Sequence, residues 1–540
     1  MSTMNYLIHL FVKPIGIVLM VSSIVGCQTN EQNNKKQQEK PNIIVIMSDD
    51  HTTQAIGAYD SRLAGLDPTP VIDRLANEGM RFTNVFCNNS ICTPSRASIM
   101  TGQYPQTNGV LDLDGSLDPD EQYLPREMNK LGYETAMIGK WHLKKEPAAF
   151  DFYTVLPGQG DYFDPEFRVQ GEKDWPDNTI QRKGHSSDVI TDITLEWLKN
   201  RNKEKPFFLM HHYKAPHDFF EFATRYADYL ADTEIPEPAS MYYNRNHGSV
   251  AIRGKNDALI HDIGSSVSHR NTIRNMGMHM DIDQDIPDPK YASMAYQEYL
   301  KRYLRCVKGI DDNLKRLFDY LDNAGILDNT VIIYTGDQGF MLGEHDYIDK
   351  RWMYEESMRM PFLVRYPGMV EAGSVTDALI NNTDFAPTII ELAGGTVPDY
   401  MQGRSFKEVL ETGQEPEEWR EATYYRYWMH MAHRHANPAH FGIRTKNHKL
   451  IFYYGRYYKD LRVKANREGW GNRYGFETPP GWEFYDIVKD PHEMDNRYNE
   501  PEYQPIIEEM KVKLKEVRKR LNETDEDYPE IQQVIDEHWD

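Results

Sequence analysis

The chain has 540 residues, 40% hydrophobic and 12% aromatic, enough to bury a sizeable core and too many for one small domain. Its formal net charge at pH 7 is −22, which argues against the basic surface that general nucleic-acid binding leans on. An anionic substrate would have to be met by a local basic pocket against an unfavourable overall field.

The pattern opens on an apolar run from Phe11 to Cys27, carrying one lysine and too short for a comfortable membrane span. It ends in Ile24-Val25-Gly26-Cys27, which resembles the bacterial lipoprotein cleavage box. The resemblance implies a signal peptide over residues 1–26, a lipid on Cys27, and an exported protein held at a membrane. The plainer alternative is an ordinary signal peptide with a chance cysteine. Residues 27–40 are polar and read as a solvated tether, so the folded protein starts near Pro41. Cys87, Cys92 and Cys306 then remain, an odd number for an oxidising compartment, so at least one is unpaired or modified. Whether Cys87 and Cys306 pair is open.

"NIIVIMSDD" is a continuous apolar run closed by carboxylates, a strand buried on both faces and ending at Ser48. "PVIDRLANEG" has helical spacing and a glycine stop. "TPSRASIMTG" reads as a turn into a helix with Pro94 in the first turn, which puts Cys92 at the helix N-terminus, where anions are favoured. "YETAMIGKWH" is a strand ending near Lys140, "SSDVITDITLEWLKN" a helix, and "KPFFLMHHYKAPH" a strand. Residues 218–290 lack periodicity and read as an elaborated loop region outside the core. Tyr296 to Leu321 repeats apolar residues every three or four positions, a long amphipathic helix. "NTVIIYTGDQG" and "MPFLVRYPG" are further strands. Strand–helix alternation predicts an α/β fold, a mostly parallel sheet covered on both faces, over residues 41–404. Residues 405–540 change texture and predict a smaller α+β subdomain with an antiparallel sheet. The stretch after Asn522 is acidic and reads as exposed.

Asp49 and Asp50 close one predicted strand, Lys140 and His142 a second, His217 a third, and Asp337 and Gln338 a fourth. In a parallel sheet the C-terminal strand ends share one edge, where α/β proteins build their sites. The oxygens of Asp49, Asp50, Asp337 and Gln338 suit a hard cation, Ca²⁺ before Mg²⁺, whereas zinc wants more His or Cys. Crowded carboxylates also need a cation or an arginine to remain ionised.

Two stretches carry a resemblance. Ser90-Ile91-Cys92-Thr93-Pro94-Ser95-Arg96 followed by Ile99-Met100-Thr101-Gly102, and Gly132 through His142, resemble the two signatures of the sulfatase family. The order of the other elements fits from Asn42 to about Arg497. The resemblance implies an alkaline-phosphatase-like fold and a sulfuric ester hydrolase. It implies that Cys92 is oxidised to formylglycine by a formylglycine-generating or anaerobic sulfatase-maturating enzyme. The hydrated aldehyde at position 92 then meets the calcium, attacks sulfur, and later expels sulfate. Arg96 matches the arginine that orients this group, Lys140 and His142 the pair that hold and deprotonate it, His217 the histidine at the leaving oxygen, and Lys350 the lysine that binds sulfate. Gln338 departs from the family, whose fourth ligand is most often Asn.

An exported sulfatase implies a sulfated carbohydrate substrate, with ulvan first and heparin-like chains second. Glu421 to Lys459 is dense in aromatic and basic residues that either contact sugars or pack as strands. The rival readings are a phosphonate or phosphate ester hydrolase of the same superfamily and a polysaccharide-binding lipoprotein without turnover.

Overall fold

The computed structural model describes residues 40–171, 173–242, 247–270, 274–459 and 475–540. The expected signal peptide and nearly all of the tether, Cys27 included, lie outside the described residues. Ten strands form the main sheet: β1 (Asn42–Ser48), β2 (Met80–Phe82), β3 (Glu134–Lys140), β4 (Phe152–Leu156), β5 (Glu166–Val169), β6 (Thr179–Gln181), β7 (Phe207–Tyr213), β8 (Thr330–Gly336), β9 (Phe362–Arg365) and β10 (Ser374–Thr376). Their order is β10-β2-β9-β8-β1-β7-β3-β4-β5-β6. The central run from β8 to β4 is parallel, as expected. Antiparallel pairs extend it on both sides: β8 with β9, β9 with β2, β4 with β5, and β5 with β6.

The continuous apolar run of β1 has a direct cause. Ile43, Val45 and Met47 point into one core, while Ile44 and Ile46 point into the core on the other face. Helices α1 (Pro70–Asn77), α2 (Cys92–Thr101), α3 (Ser186–Asn200) and α4 (Lys290–Asn323) follow the predicted positions. The apolar stripe of α4, from Tyr296 through Leu300, Tyr303 and Val307 to Leu321, is buried.

Four antiparallel strands, β11 (Ala422–Tyr427), β12 (His440–Thr445), β13 (His448–Tyr453) and β14 (Gly481–Asp486), form the smaller sheet. Helix α5 (Gln504–Arg520) packs Ile507, Met510 and Leu514 against it. Both sheets belong to one compact unit, Lys40–Asp540.

Two expectations are corrected and one open question is closed. The stretch after Asn522 is not an exposed tail: α6 (Pro529–His538) buries Ile531, Val534 and Ile535 in the core of the smaller sheet, and Glu523 and Asp525 are buried beside Arg426. The described part of residues 218–290 is mostly irregular, yet Phe220, Ile235, Met241, Ile252, Ile263 and Met276 are buried, because it packs over α4 and the strand ends. Cys87 and Cys306 do not pair. Both are buried free thiols in cores on opposite faces of the sheet.

Candidate active site

The parallel strands end on one edge, and the edge carries the polar residues. Ser48 of β1 is in register with Gly336 of β8 and Tyr213 of β7, so Asp49, Asp50, Asp337 and Gln338 follow side by side. Gly139 of β3 lies opposite His212 of β7. It has φ +103°, and a Cβ there would lie 1.9 Å from the His212 carbonyl oxygen, so only glycine brings Lys140 this close. Asp50, His142, Asp349 and Arg351 also hold positive φ, at 65°, 57°, 77° and 89°. Non-glycine residues hold left-handed backbone where the surrounding scaffold over-determines it. One restraint is visible: Tyr303 of α4 donates to the Asp50 carbonyl at 2.7 Å and accepts from Thr52 N at 3.2 Å.

Helix α2 starts at Cys92 and is buried along all ten residues. Arg96, one turn on, donates from Nε to Asp337 Oδ2 at 2.9 Å and from Nη1 to the Lys140 carbonyl at 2.7 Å, with Nη2 3.7 Å from Asp49 Oδ1. Lys140 Nζ donates to Asp49 Oδ2 and, at 2.5 Å, to Gln159 Oε1 beyond β4. Lys350 Nζ spans both oxygens of Asp50 at 2.5 and 2.6 Å. Gln338 Nε2 donates to Asp50 Oδ1. Thr93 Oγ1 donates to the His142 carbonyl at 3.3 Å. His217 Nε2 lies 3.8 Å from Asp50 Oδ2.

All ten residues named from sequence thus meet at one place. Cys92, His142, His217 and Lys350 line a cavity of about 290 Å³. Asp49, Asp50, Arg96, Lys140, Asp337 and Gln338 form the buried floor around it. Sequence reasoning missed Gln159, Asp218, Arg274, Asp349, Arg351, His433 and His435, all seven of which line the same cavity beside the four above. Asp218, Asp349 and Arg351 adjoin residues that were named. His433 and His435 fall in the aromatic and basic stretch set aside for sugar contact, whose three strands are otherwise buried. Arg274 carried no sequence signal.

The electrostatics follow from burial. Burial raises the Asp50 carboxyl to about 7: Lys350 pulls it down, but Asp337 and Asp349 push it up again. Burial would also raise Asp337, yet Arg96, Lys140 and Lys350 together hold it below the ordinary carboxylate range. Burial drives Lys140 well down, and His142 likewise, the latter with help from Lys140 and Arg96. Burial takes His217 to about 3 against the upward pull of Asp218. The Cys92 thiol is pushed up to about 12 by burial, so unmodified it is protonated at neutral pH and a weak nucleophile.

Arg96, Lys140 and Lys350 already face the three carboxylates, so their crowding does not by itself call for a metal. The stronger sign is that Asp49 Oδ1 and Gln338 Oε1 are buried oxygens with no hydrogen-bond partner among the described residues. Asp49, Cys92 and Asp337 place one ligand atom each within 4.8 Å of one another. An all-oxygen set with two unsatisfied members fits a hard divalent cation.

Comparison with known proteins agrees with this geometry. Residues 41–395 match the family profile described as sulfatase, and residues 343–463 and 473–520 match the one described as N-sulphoglucosamine sulphohydrolase, C-terminal. The chain is 38% identical over 518 residues to an N-acetylglucosamine-6-O-sulfatase of Bacteroides thetaiotaomicron, covering 90% of this chain and 87% of that protein. It is 26% identical over 473 residues to an ulvan-active sulfatase of Formosa agariphila, covering 85% and 77%. A solved structure in complex with its substrate D-glucosamine-2-N,6-O-disulfate superposes with a TM-score of 0.77 at 37% identity, covering 91% of this chain and 99% of that one. With both signatures folded onto one strand edge and the profile spanning most of the chain, the protein belongs to the sulfatase family and is a sulfuric ester hydrolase.

Proposed function

We propose that the enzyme removes a 6-O-sulfate from glucosamine-type residues of heparin-like oligosaccharides, with residue 92 as formylglycine and Ca²⁺ held by Asp49, Asp50, Asp337 and Gln338. The observation that carries the reading is Cys92 itself, 1% exposed at the edge of a cavity of about 290 Å³. That volume is at the small end of small-molecule sites, about 300–1,000 Å³, and suits one sugar with its sulfate. A sulfate on an exocyclic carbon reaches further from the ring than one on a ring carbon. The rim mixes Arg274, Arg351 and His433 with Asp114 and Asp218, a donor and acceptor set suited to hydroxyl, amino and sulfate groups together. The 38% likeness to an N-acetylglucosamine-6-O-sulfatase weighs for the heparin-like candidate over ulvan.

A formylglycine at position 92 supplies, once hydrated, a hydroxyl nucleophile that the thiol cannot offer, and calcium supplies positive charge opposite the sulfate oxygens. The chain's own residues do the rest. Arg96 ties α2 to Asp337 and to the end of β3, fixing residue 92 against the acidic floor. Lys350 faces the cavity with an ammonium able to pair with a sulfate oxygen. Burial lowers the proton affinity of both Lys140 and His142; His142 lines the cavity beside residue 92, where its ring can accept a proton, and Lys140 pairs with Asp49 beneath it. His217 turns Nε2 toward the cavity, where a sugar oxygen, a poor leaving group, needs a proton. The Ile24–Cys27 box supports an exported, lipid-anchored protein.

The test is sulfate release from glucosamine 6-sulfate, glucosamine 2-N-sulfate, ulvan oligosaccharides and an aryl phosphate, with the mass of the residue-92 peptide read on the same preparation. Turnover of the 6-sulfate by protein carrying the aldehyde mass is expected. Turnover of ulvan fragments or the aryl phosphate in its place, or full activity with Cys92 at thiol mass, overturns the reading.

A further inference from the structure

His217 does not hold its own ring. Its Nδ1 lies 2.7 Å from Asp218 Oδ1 and 3.0 Å from the Asp218 carbonyl oxygen. The other carboxylate oxygen of Asp218 accepts from Arg274 Nη2 at 2.6 Å. Arg274 also lies over the Phe219 ring, 5.6 Å from its centroid. His217, Asp218 and Arg274 line the same cavity as Cys92.

The backbone behind Arg274 is firmly built. The next residue, Asn275, is fully buried and accepts Met278 N at 2.9 Å as a helix cap. Its side chain donates to the Val267 carbonyl at 3.2 Å and accepts Tyr291 OH of α4 at 2.5 Å. A guanidinium delivered from a fixed point thus pins a carboxylate, and the carboxylate pins an imidazole.

An imidazole that gives its Nδ1–H to a carboxylate has Nε2 as its only nitrogen free to meet substrate. Burial keeps the ring neutral before substrate binds; an anionic sulfate ester bound beside it, together with Asp218, favours the second proton on Nε2, taken up from solvent with the substrate. We infer that Asp218 and Arg274 are positioning residues that set the tautomer and plane of His217, so that Nε2 hands its proton to the sugar oxygen as the sulfur–oxygen bond breaks. The oxygen departs with the electron pair of that bond and takes the Nε2 proton. The ring returns to neutral with Nδ1–H still on Asp218, and the proton released when the sulfate is hydrolysed off balances, through solvent, the one that Nε2 takes up with the next substrate. The inference rests on the proposed leaving-group role of His217.

The experiment compares kcat and KM on 4-nitrophenyl sulfate, whose leaving group needs little help, with those on the sugar sulfate that the wild-type enzyme turns over. His217→Ala and Asp218→Asn should each lose about 10²-fold or more in kcat on the sugar sulfate, and only about threefold on the aryl ester. KM for the sugar should change little. The double variant should be no slower than His217→Ala, because the two residues act as one unit. Asp218→Glu should recover part of the rate, and Arg274→Gln, a milder change that serves if Asp218→Asn does not fold, should show the same selectivity at about tenfold. Selective loss in His217→Ala with unselective loss in Asp218→Asn and Arg274→Gln, or further slowing in the double variant, overturns this inference alone. A KM effect without a kcat effect does the same, placing Asp218 and Arg274 on the substrate. Unselective loss in His217→Ala overturns the leaving-group role and this inference with it.

Discussion

Asp337→Asn discriminates between two accounts of the acidic floor. If crowding among carboxylates dominates, deleting one charge stabilises the metal-free protein. The structure reverses that sign. Asp337 is fully buried, takes Arg96 Nε on Oδ2 at 2.9 Å, and takes the Asp50 amide on Oδ1 at 3.2 Å. An amide has one oxygen, so whichever way it turns, its NH₂ group faces either the Arg96 guanidinium or the Asp50 N–H, donor against donor. A charged hydrogen bond is worth about 1.5–3 kcal/mol, and removing one partner of a buried pair costs about 3–5 kcal/mol. Relief at Asp50 offsets only part of this, because burial rather than Asp337 is the main cause of its raised pKa. The expected net loss is about 2–4 kcal/mol, measured by urea unfolding in EDTA at pH 7. Asp337 is depressed below its ordinary 3.8, so its contribution is full above that pH and fades as pH falls through the lower folded value. The gap between wild type and variant should hold from pH 7 to about pH 5 and close below about pH 4. Added calcium should widen it, since the variant loses a charged ligand. A variant equally or more stable than wild type in EDTA at pH 7 refutes the argument.

Two further outcomes are expected. Ile531, 1% exposed in the core beneath the smaller sheet, should lose about 2–5 kcal/mol on Ile531→Ala, and a change within noise in urea unfolding would return α6 to the surface. Cys27→Ser should release the protein from the membrane fraction or leave it unprocessed, with turnover intact; fractionation like wild type would remove the lipid as anchor.

What could be seen in the sequence depended on the reach of each signal. β1, β7, β8 and α4 were legible because a strand buried on both faces is apolar throughout and a long helix repeats its stripe: the stripe at Tyr296–Leu321 lies within Lys290–Asn323. Nine site residues were legible because they sit at strand ends or inside the two signatures, and Lys350 because its stretch resembles the one that carries the family's sulfate-binding lysine. The margins were not. Strands as short as Met80–Phe82 and Thr179–Gln181 carry too few residues for a period, and pairing partners come from far along the chain. The segment around Arg274 looked like loop because its buried residues are spaced by folding over α4, not by a helix or strand repeat. α6 hid behind its acidic composition, since only Ile531, Val534 and Ile535 mark its inner face. Arg274 reaches the cavity only through contacts that no local pattern encodes.

The burial of α2 sets a clock. In the finished protein a catalyst of protein size has no access to Cys92, which is 1% exposed on a helix buried along its whole length. The conversion proposed for that thiol must therefore come before the fold closes. Closure waits on late parts of the chain: Ser90 N bonds the hydroxyl of Tyr425, 335 residues downstream, and the Asn88 carbonyl accepts from Arg426 N. At roughly 5–20 residues per second of synthesis, those partners emerge on the order of 17–70 s after Ser90. Maturation and folding then compete for one sulfur, and the active fraction of any preparation records the ratio of two rates. Late addition of the maturation enzyme to folded protein would not raise that fraction, whereas slowing the closure of the smaller sheet would.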